Sequence, residues 1–279
     1  MNENNIKINE IILKYFPTAK IYDDIKDKIE IFVKCKNTKI LTSERHGNEL
    51  IIYIYTNTNY MYIASLLKCN GISGSDSLTL IKNLAKELNI KLIKLFDGSF
   101  IDYDACSIPL HVLYILMFGE SWYNTQEFYS KDYSTEKKYN NDIINLPLSG
   151  IFYFYRSQKN TKLKELENEY TIKRNELNND ENSLKNIDKY FNYTIRNTKN
   201  QIEVQIKDTI KLFNKLKRKR DIFNKKNMII SDIVKLLFNI IKTEELECDD
   251  IELIFLNKIL IISSYILSYN SSLEYKIDN

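Results

Sequence analysis

Residues 60–96 read YMYIASLLKCNGISGSDSLTLIKNLAKELNIKLIKLF. The first part, Tyr60–Leu67, is rich in Ile and Tyr and predicts a strand. A loop with two glycines follows, and apolar residues at spacings of three and four then predict a helix over 78–88. Lys91–Phe96 largely alternates between apolar and polar residues and predicts another strand. Strand, helix and strand in this order are typical of a layered fold of α and β elements, so this stretch decides the fold class.

The residues before this stretch extend the strand pattern toward the N-terminus. Residues 50–55 and 60–67 flank the polar segment Thr56–Asn59, which predicts a β-hairpin with turn chemistry supplied by Asn. An amphipathic helix is predicted over 5–16, and Pro17 ends its apolar pattern. The first 68 residues therefore predict one helix and four antiparallel strands, at 28–35, 39–43, 50–55 and 60–67.

The residues after the stretch complete a first domain. Pro109–Phe118 predicts an apolar helix that stops near Gly119. Glu127–Tyr129 predicts a short strand, and Ile151–Tyr155 predicts a longer one. The sequence thus predicts an α+β domain over residues 1–155.

The second half of the chain differs in kind, because it contains neither glycine nor proline after Gly150. Such a composition favours uninterrupted helix. A seven-residue apolar repeat predicts either one long, partly coiled-coil helix or two helices broken around 178–182. The repeat consists of Leu163, Tyr170, Leu177, Leu184 and Phe191.

Two further helices are predicted beyond this repeat, over 229–242 and 250–268, followed by a polar tail. Residues 156–279 are therefore predicted to form an all-α region. The apolar stretch 251–267 contains charged residues, so we expect a buried helix and not a membrane span.

The loop before the helix over 78–88 is a candidate anion site. Free backbone N–H groups and the helix dipole converge at a helix N-terminus, and either Asp76 or Ser75 is expected to cap this one. Gly71 and Gly74 would let the backbone approach a phosphate closely. The same glycines also fit a tight structural turn, and neither the Walker nor the dinucleotide glycine pattern is present.

Two segments resemble motifs of the GNAT acetyltransferase superfamily. Residues 68–73, KCNGIS, look like its Gln/Arg-x-x-Gly-x-Gly/Ala loop, which grips the coenzyme A pyrophosphate. Residues 122–128, WYNTQEF, look like its Tyr-x-x-x-Gly-Phe segment, in which the tyrosine commonly protonates the leaving thiolate. Residues 119–123, GESWY, resemble segments of GNAT-like proteins in large DNA viruses, and the whole resemblance covers roughly residues 50–130.

The resemblance implies a GNAT-like mixed sheet, acetyl-CoA as a cofactor and Tyr123 as the catalytic acid. Several positions depart from the family pattern: Lys68 replaces Gln/Arg, Ser73 replaces the second Gly/Ala, and Glu127 replaces Gly. No strand-borne carboxylate base is identified. These departures predict a degenerate domain with lost or weakened catalysis. The cofactor-binding residues that the resemblance implies are Lys68, Gly71, Ser73, Gly74 and Ser75.

A basic run near the end of the predicted long helix is the strongest charge feature of a chain whose net charge is only +3. Such a run fits a solvated helical face, and it also fits contacts with nucleic-acid phosphates or with an anionic membrane. Aromatic residues do not interleave with these positions in a way that favours base stacking. The candidate contact residues are Lys215, Lys217, Arg218, Lys219 and Arg220.

Other potential sites are interpreted as structural. The two histidines lie far apart and do not predict a metal centre, so no metal is expected. Asp97, Asp102 and Asp104 surround a Gly turn, which fits a solvated turn better than a hard-cation site. The cysteines, Cys35, Cys69, Cys106 and Cys248, are expected to be unpaired, as in a reducing compartment.

These features predict a protein that acts mainly by protein–protein association, with itself or another protein, through residues 159–226. An acetyl-CoA-dependent N-acyltransferase is one alternative, and a virion-associated or nucleic-acid-contacting structural protein is another. No signal peptide is visible at the polar N-terminus. An intracellular location is expected, in a host cytoplasm or a virion.

Overall fold

The two strands predicted within residues 60–96 belong to a mixed β-sheet. The computed structural model describes residues 3–25, 28–34, 49–66, 72–103, 106–176 and 181–277. Six strands form the sheet in the order β1-β2-β3-β4-β5-β8, and all neighbours are antiparallel except β4 and β5. The strands are β1 (Ala19–Ile25), β2 (Lys28–Lys34), β3 (Glu49–Tyr55), β4 (Tyr60–Ser65), β5 (Leu92–Phe96) and β8 (Ser272–Lys276).

One face of this sheet carries a hydrophobic core. Successive strand residues point to opposite faces, so Ile29, Ile31 and Val33 of β2 are buried together. Two helices, α1 (Glu3–Tyr15) and α2 (Gly74–Glu87), contribute their apolar residues to the same core. The α+β fold class predicted from the sequence is therefore confirmed. The predicted strand at 39–43 lies outside the described residues.

The C-terminal residues correct one prediction. Residues after 268 were expected to form a polar tail, but Ser272–Lys276 is the strand β8, which pairs with β5. Leu273 is fully buried in the core of the sheet. A single buried side chain in a polar segment gives little local signal, and the pairing partner lies about 180 positions away in sequence.

A hairpin and a set of helices make up the rest of the chain. The hairpin consists of β6 (Phe100–Tyr103) and β7 (Cys106–Pro109). The helices that the sequence predicted near 109–118, 229–242 and 250–268 are confirmed. The helices are α3 (Leu110–Phe118), α4 (Trp122–Thr125), α5 (Tyr133–Ile144), α6 (Leu148–Glu176), α7 (Glu181–Lys219), α8 (Ile230–Thr243) and α9 (Ile251–Ser264), with a 3₁₀ turn at Asp221–Asn224.

The prediction of a strand over Ile151–Tyr155 is wrong, because these residues lie in α6. Ile151, Phe152 and Tyr155 are buried, and their spacing of three and four residues is helical. The segment Glu127–Tyr129 is not a full strand either. Tyr129 makes an isolated antiparallel bridge to Glu274 of β8.

The two long helices α6 and α7 pack side by side and run antiparallel. Tyr170 contacts Asp188 and Phe191, whereas Arg156, earlier in α6, pairs with Glu203, later in α7. Of the two alternatives that the repeat left open, the structure has two helices, one ending at Glu176 and the next beginning at Glu181.

Contacts divide the chain into two compact units. Unit 1 comprises residues 1–99, 121–136 and 269–279, and unit 2 comprises residues 100–120 and 137–268. Unit 1 contains the six-stranded sheet, and unit 2 contains the β6–β7 hairpin and most of the helices. The predicted domain boundary at 155 falls within α6, inside unit 2.

The prediction that the cysteines are unpaired is wrong for the two cysteines of unit 2. Cys106 and Cys248 form a disulfide, so they are not unpaired. The bond joins β7 to the segment between α8 and α9. Cys35 and Cys69 lie outside the described residues. Within the described ranges, no helix combines the length and the apolar character that crossing a bilayer requires.

Candidate functional site

The parallel strands β4 and β5 define the candidate site. They are joined by α2, and their register runs from Tyr60 opposite Leu92 to Ile63 opposite Leu95. In sheets with such crossovers, ligands bind outside the carboxyl ends of the strands. The candidate binding position in unit 1 is therefore at the carboxyl ends of β4 and β5, near Ser65 and Phe96.

The ladder between β4 and β5 stops at this end. Ser65 pairs with Ile51 of β3, and the register shifts between Ile51 and Ile52, so that β4 carries one extra residue there. Such a bulge bends its strand. Phe96 of β5 pairs on its other side with Ser272 of β8. Beyond Ile63 and Leu95, each strand is therefore paired to a different neighbour.

Helix α2 begins next to this end. Its N-cap is Ser73, not Asp76 or Ser75 as expected: the Ser73 hydroxyl accepts a hydrogen bond from the Asp76 N–H at 3.1 Å and donates one to the Asp76 carboxylate at 2.6 Å. The Ser75 carbonyl accepts a hydrogen bond from the Thr79 hydroxyl. Lys68 and Gly71 lie outside the described residues.

Gly74 brings the start of α2 against α4. A Cβ atom at Gly74 would lie 3.0 Å from the indole ring of Trp122, so a side chain there would have to displace that ring. Gly74 thus allows α2 and α4 to approach closely. This is a structural role, which the sequence left open as an alternative to phosphate binding. Trp122 directly precedes Tyr123, so α4 sets the predicted acid close to the predicted anion site.

Tyr123 lies in the core of unit 1. Helix α4 begins at the N-cap Ser121, which exchanges two hydrogen bonds with Asn124 in a capping box. The ring of Tyr123 is 7% exposed and contacts the rings of Trp122 and Phe128. Burial raises the pKa of the Tyr123 hydroxyl above its usual value, and the negative charge of Asp97 raises it further. Tyr123 is therefore protonated at neutral pH.

The prediction of a solvated turn is wrong for Asp97, because its side chain is buried. Asp97 follows β5 directly and is 2% exposed. Its carboxylate accepts a hydrogen bond from the Tyr269 hydroxyl at 2.6 Å and another from the Ser99 hydroxyl at 2.7 Å. Burial, followed by the charge of Asp97, raises the pKa of Tyr269. Asp97 is thus a buried carboxylate at the carboxyl end of β5, within electrostatic range of Tyr123.

The other two aspartates of the predicted turn are Asp102 and Asp104. Asp102 lies in β6 of unit 2, and Asp104 lies outside the described residues. Among the residues that the structure describes, no three His, Cys, Asp or Glu side chains are grouped closely enough to hold a metal ion.

The roles of Asp97 and Tyr269 were not predicted from the sequence. An acidic residue immediately after a predicted strand was a usable signal for Asp97, because that position lies at the carboxyl end of the strand. No comparable signal existed for Tyr269, which lies 172 positions from its partner and follows the long helical insertion.

Glu127 occupies the position where the GNAT motif has glycine. Its φ is +66°, in the left-handed region that favours glycine. Its carboxylate accepts a hydrogen bond from the Lys82 ammonium at 3.0 Å, and that ammonium also donates to the Gln126 carbonyl and lies over the Tyr275 ring. Glu127 thus has a left-handed backbone conformation, and its side chain is bound to α2 through Lys82.

An open cavity of about 570 Å³ lies along the outer edge of β8 in the same unit. It does not reach Tyr123 or Asp97, so we do not assign it to the candidate site. Its lining residues are Glu127, Tyr129, Ser130, Lys131, Glu274, Tyr275 and Lys276.

The basic run predicted as a nucleic-acid contact belongs to unit 2 and is partly neutralised. Lys219 donates to Glu252 at 2.9 Å, and Arg220 donates to both Glu252 and Glu244. Lys217 lies over the ring of its neighbour Phe213. The remaining two members of the run, Lys215 and Arg218, are exposed on α7.

Comparison with family models, curated proteins and solved structures finds no match to this chain.

Proposed function

We propose that unit 1 is a GNAT-like domain that binds acyl-CoA and catalyses acyl transfer weakly. The observation that carries this proposal is the convergence of three features at one end of the parallel strands. The start of α2, Tyr123 and Asp97 all lie where the pairing of β4 and β5 stops. These are the positions at which the resembled family binds its cofactor and supplies an acid.

Pyrophosphate binding is assigned to the start of α2. The N–H groups of the first turn and the helix dipole attract an anion there. Asp76, however, places a carboxylate in the same turn, where it accepts from Ser73. Because this carboxylate competes with a phosphate for the positive end of the helix, we expect weak affinity for the cofactor.

The chemistry of acyl transfer also points to weak catalysis. An amine that attacks a thioester must lose a proton, and the leaving thiolate must gain one. Tyr123 is protonated and can supply the second proton, but its raised pKa makes it a weaker acid. Both oxygens of Asp97 already accept hydrogen bonds, from Tyr269 and Ser99, so this carboxylate is poorly placed to act as the base.

The experiment is a thermal shift and a transfer assay on the full chain with acetyl-CoA. We expect millimolar acetyl-CoA to raise the Tm, because a ligand that binds only the folded state stabilises it. Gly74→Ala should abolish this rise by pushing on Trp122, whereas Gly98→Ala, whose Cβ meets only ordinary contacts, should retain it.

Tyr123→Phe separates binding from chemistry. The variant keeps the ring that packs against Trp122 and Phe128, so the acetyl-CoA-dependent rise in Tm should persist. Transfer to an amine acceptor should fall by about 10²-fold or more if the hydroxyl is the acid. Absence of any stabilisation of the unchanged protein by millimolar acetyl-CoA would overturn the proposal.

We propose in addition that the α6–α7 pair, as a coiled-coil-like hairpin, mediates association with a second copy or another protein. The outer surface of the pair carries exposed apolar side chains. These are Tyr153, Ile172, Tyr190, Tyr193, Val204 and Ile210. Light scattering over a concentration series tests self-association, and Tyr190→Lys with Tyr193→Lys should shift a dimer to a monomer. We propose an intracellular location on the basis of the acyl-CoA cofactor alone, since the Cys106–Cys248 disulfide does not favour a reducing compartment.

A further inference from the structure

The face of the sheet in unit 1 that is opposite to α1 and α2 is lined with aromatic residues. We call it the tyrosine face. Six aromatic side chains on its first four strands are at least partly exposed, and none belongs to the hydrophobic core of the unit. The residues are Tyr22 of β1, Phe32 of β2, Tyr53 and Tyr55 of β3, and Tyr60 and Tyr62 of β4.

The strand register gathers four of these rings at the centre of the sheet. Tyr53 lies opposite Tyr62, and Tyr55 lies opposite Tyr60. The Tyr55 and Tyr60 rings stack with their centroids 4.5 Å apart, so each covers a face of the other. The Tyr53 and Tyr62 rings are also nearly parallel, but their centroids are 6.4 Å apart. This wider pair leaves more aromatic surface available to a ligand.

Lysines interleave with these aromatic residues. The Lys28 ammonium lies 3.8 Å from the centroid of the Tyr53 ring, and the Lys94 ammonium lies 5.1 Å from that of Tyr60. Each also pairs with a glutamate, Glu30 and Glu274 respectively. Among the side chains that the structure describes, the alternation of the strands places five lysines and two glutamates on this face. The lysines are Lys20, Lys28, Lys34, Lys94 and Lys276.

We infer that the tyrosine face binds single-stranded nucleic acid. Exposed rings on adjacent strands offer platforms for unstacked bases, and flanking cations contact the phosphates between them. This combination of rings and lysines was not found in the basic run of α7. A broad sheet surface of this kind suits single strands and not duplexes, because bases in a duplex are already stacked on each other.

The charge of the face argues against a second copy as its occupant. In a two-fold symmetric dimer, the same patch on both chains would meet itself. Each face carries five lysines and only two glutamates among its described side chains, so two surfaces of net positive charge would oppose each other, which costs affinity. A polyanion with exposed aromatic bases complements both the charge and the rings. This inference does not depend on acyl-CoA binding, since the face and the candidate site use different residues.

The test is fluorescence anisotropy of the full chain with labelled single-stranded DNA and RNA of about 12 nucleotides. We expect binding that weakens as salt is raised, because phosphate contacts release counterions. Tyr53→Ala with Tyr62→Ala should weaken binding by about tenfold or more, since each stacked base is held by one ring. The matched control is Phe118→Ala with Tyr265→Ala, a pair of exposed aromatic residues in unit 2 that lie outside the proposed association surface.

A second pair of variants tests the charges without touching the core. Lys20→Glu with Lys34→Glu, both exposed on the face, should weaken binding by about tenfold or more. Lys215→Glu with Arg218→Glu on α7 should leave it nearly unchanged. Circular dichroism melts establish that each variant is folded, and the lysine variants keep the test decisive if the tyrosine variants unfold.

Several outcomes would overturn the inference. These are no binding of either oligonucleotide at low salt, tighter binding of a duplex than of single strands, and loss of binding in the unit 2 control variants with the sheet variants unaffected. A dimer in light scattering that the Tyr53 and Tyr62 substitutions disrupt, without oligonucleotide binding, would assign the face to self-association instead.

Discussion

At the scale of single residues, the buried carboxylate of Glu252 holds two cations in unit 2. Its side chain is fully buried, and it accepts hydrogen bonds from Lys219 at 2.9 Å and Arg220 at 2.7 Å. Arg220 also makes a two-point contact with Glu244. Burial acts to raise the pKa of Glu252, but the hydrogen bonds from the two cations outweigh it, so the net pKa is lowered.

Glu252→Gln tests this arrangement. A carboxyl group whose pKa is lowered on folding stabilises the protein above its unfolded pKa of about 4.3 and loses that contribution as pH falls through the folded value. At pH 7 the substitution should lower the free energy of unfolding by about 2–3 kcal/mol, below the usual range for a buried pair because both cations are partly exposed. Urea unfolding at pH 7 and pH 3 measures the difference, which should shrink at the lower pH.

The control for this prediction is Glu244→Gln. Glu244 also binds Arg220, but its side chain is 41% exposed, so the loss of stability should be smaller. A Glu252→Gln variant as stable as the unchanged protein at pH 7 would contradict the importance of the buried carboxylate.

A second residue-scale prediction concerns the positive φ of Glu127. Glu127→Gly and Glu127→Ala both remove the ion pair with Lys82, but only glycine relieves the left-handed backbone. The glycine variant should therefore be more stable than the alanine variant by about 1 kcal/mol. Thermal melts compare the two variants directly. Equal Tm values would show that the left-handed backbone at position 127 is not strained.

At the scale of elements, the end of α3 depends on Gly119. This residue is the left-handed C-cap of the helix, with φ +82°, and its N–H donates to the Ile115 carbonyl. A Cβ atom there would lie 2.0 Å from the Asn141 side-chain oxygen. Gly119→Ala should therefore destabilise the protein by about 1–3 kcal/mol. In chemical denaturation, Gly98→Ala serves as the comparison, because its Cβ meets only the Phe96 ring at 3.6 Å.

Elements with strong local signals were predictable from the sequence. Pro109 and Gly119 delimit α3, and the alternation over Lys28–Cys35 anticipated β2, because both patterns depend on residues close in the chain. Ile151–Tyr155 was misassigned, because a run of aromatic and β-branched residues fits a strand as well as a buried helix. The start of α6 at Leu148 and its burial among other helices decide between them.

At the scale of the whole molecule, the disulfide Cys106–Cys248 closes a loop of 142 positions. Non-reducing peptide mapping should recover the linked peptides, and Cys248→Ser should lower the stability by about 2–4 kcal/mol. Reducing agent should destabilise the unchanged protein by a similar amount and leave the variant unaffected. If the protein is never exposed to reductant and the Cys106 and Cys248 peptides are still recovered separately, the disulfide is contradicted.

Local sequence determined the α+β class, most helices, the strands around residues 50–67 and 91–96, and the proximity of a helix N-terminus to a glycine loop. Periodicity and capping depend on residues a few positions apart, so they can be recognised in the sequence without knowledge of the tertiary structure. Tertiary contacts alone pair Ser272–Lys276 with β5, join Tyr269 to Asp97 by a hydrogen bond, and bring Asp97 within electrostatic range of Tyr123. The tertiary structure also pairs Lys219 and Arg220 with the buried carboxylate of Glu252, and it gathers the tyrosines of separate strands on one face. These features depend on contacts between residues far apart in the chain, which no local pattern encodes.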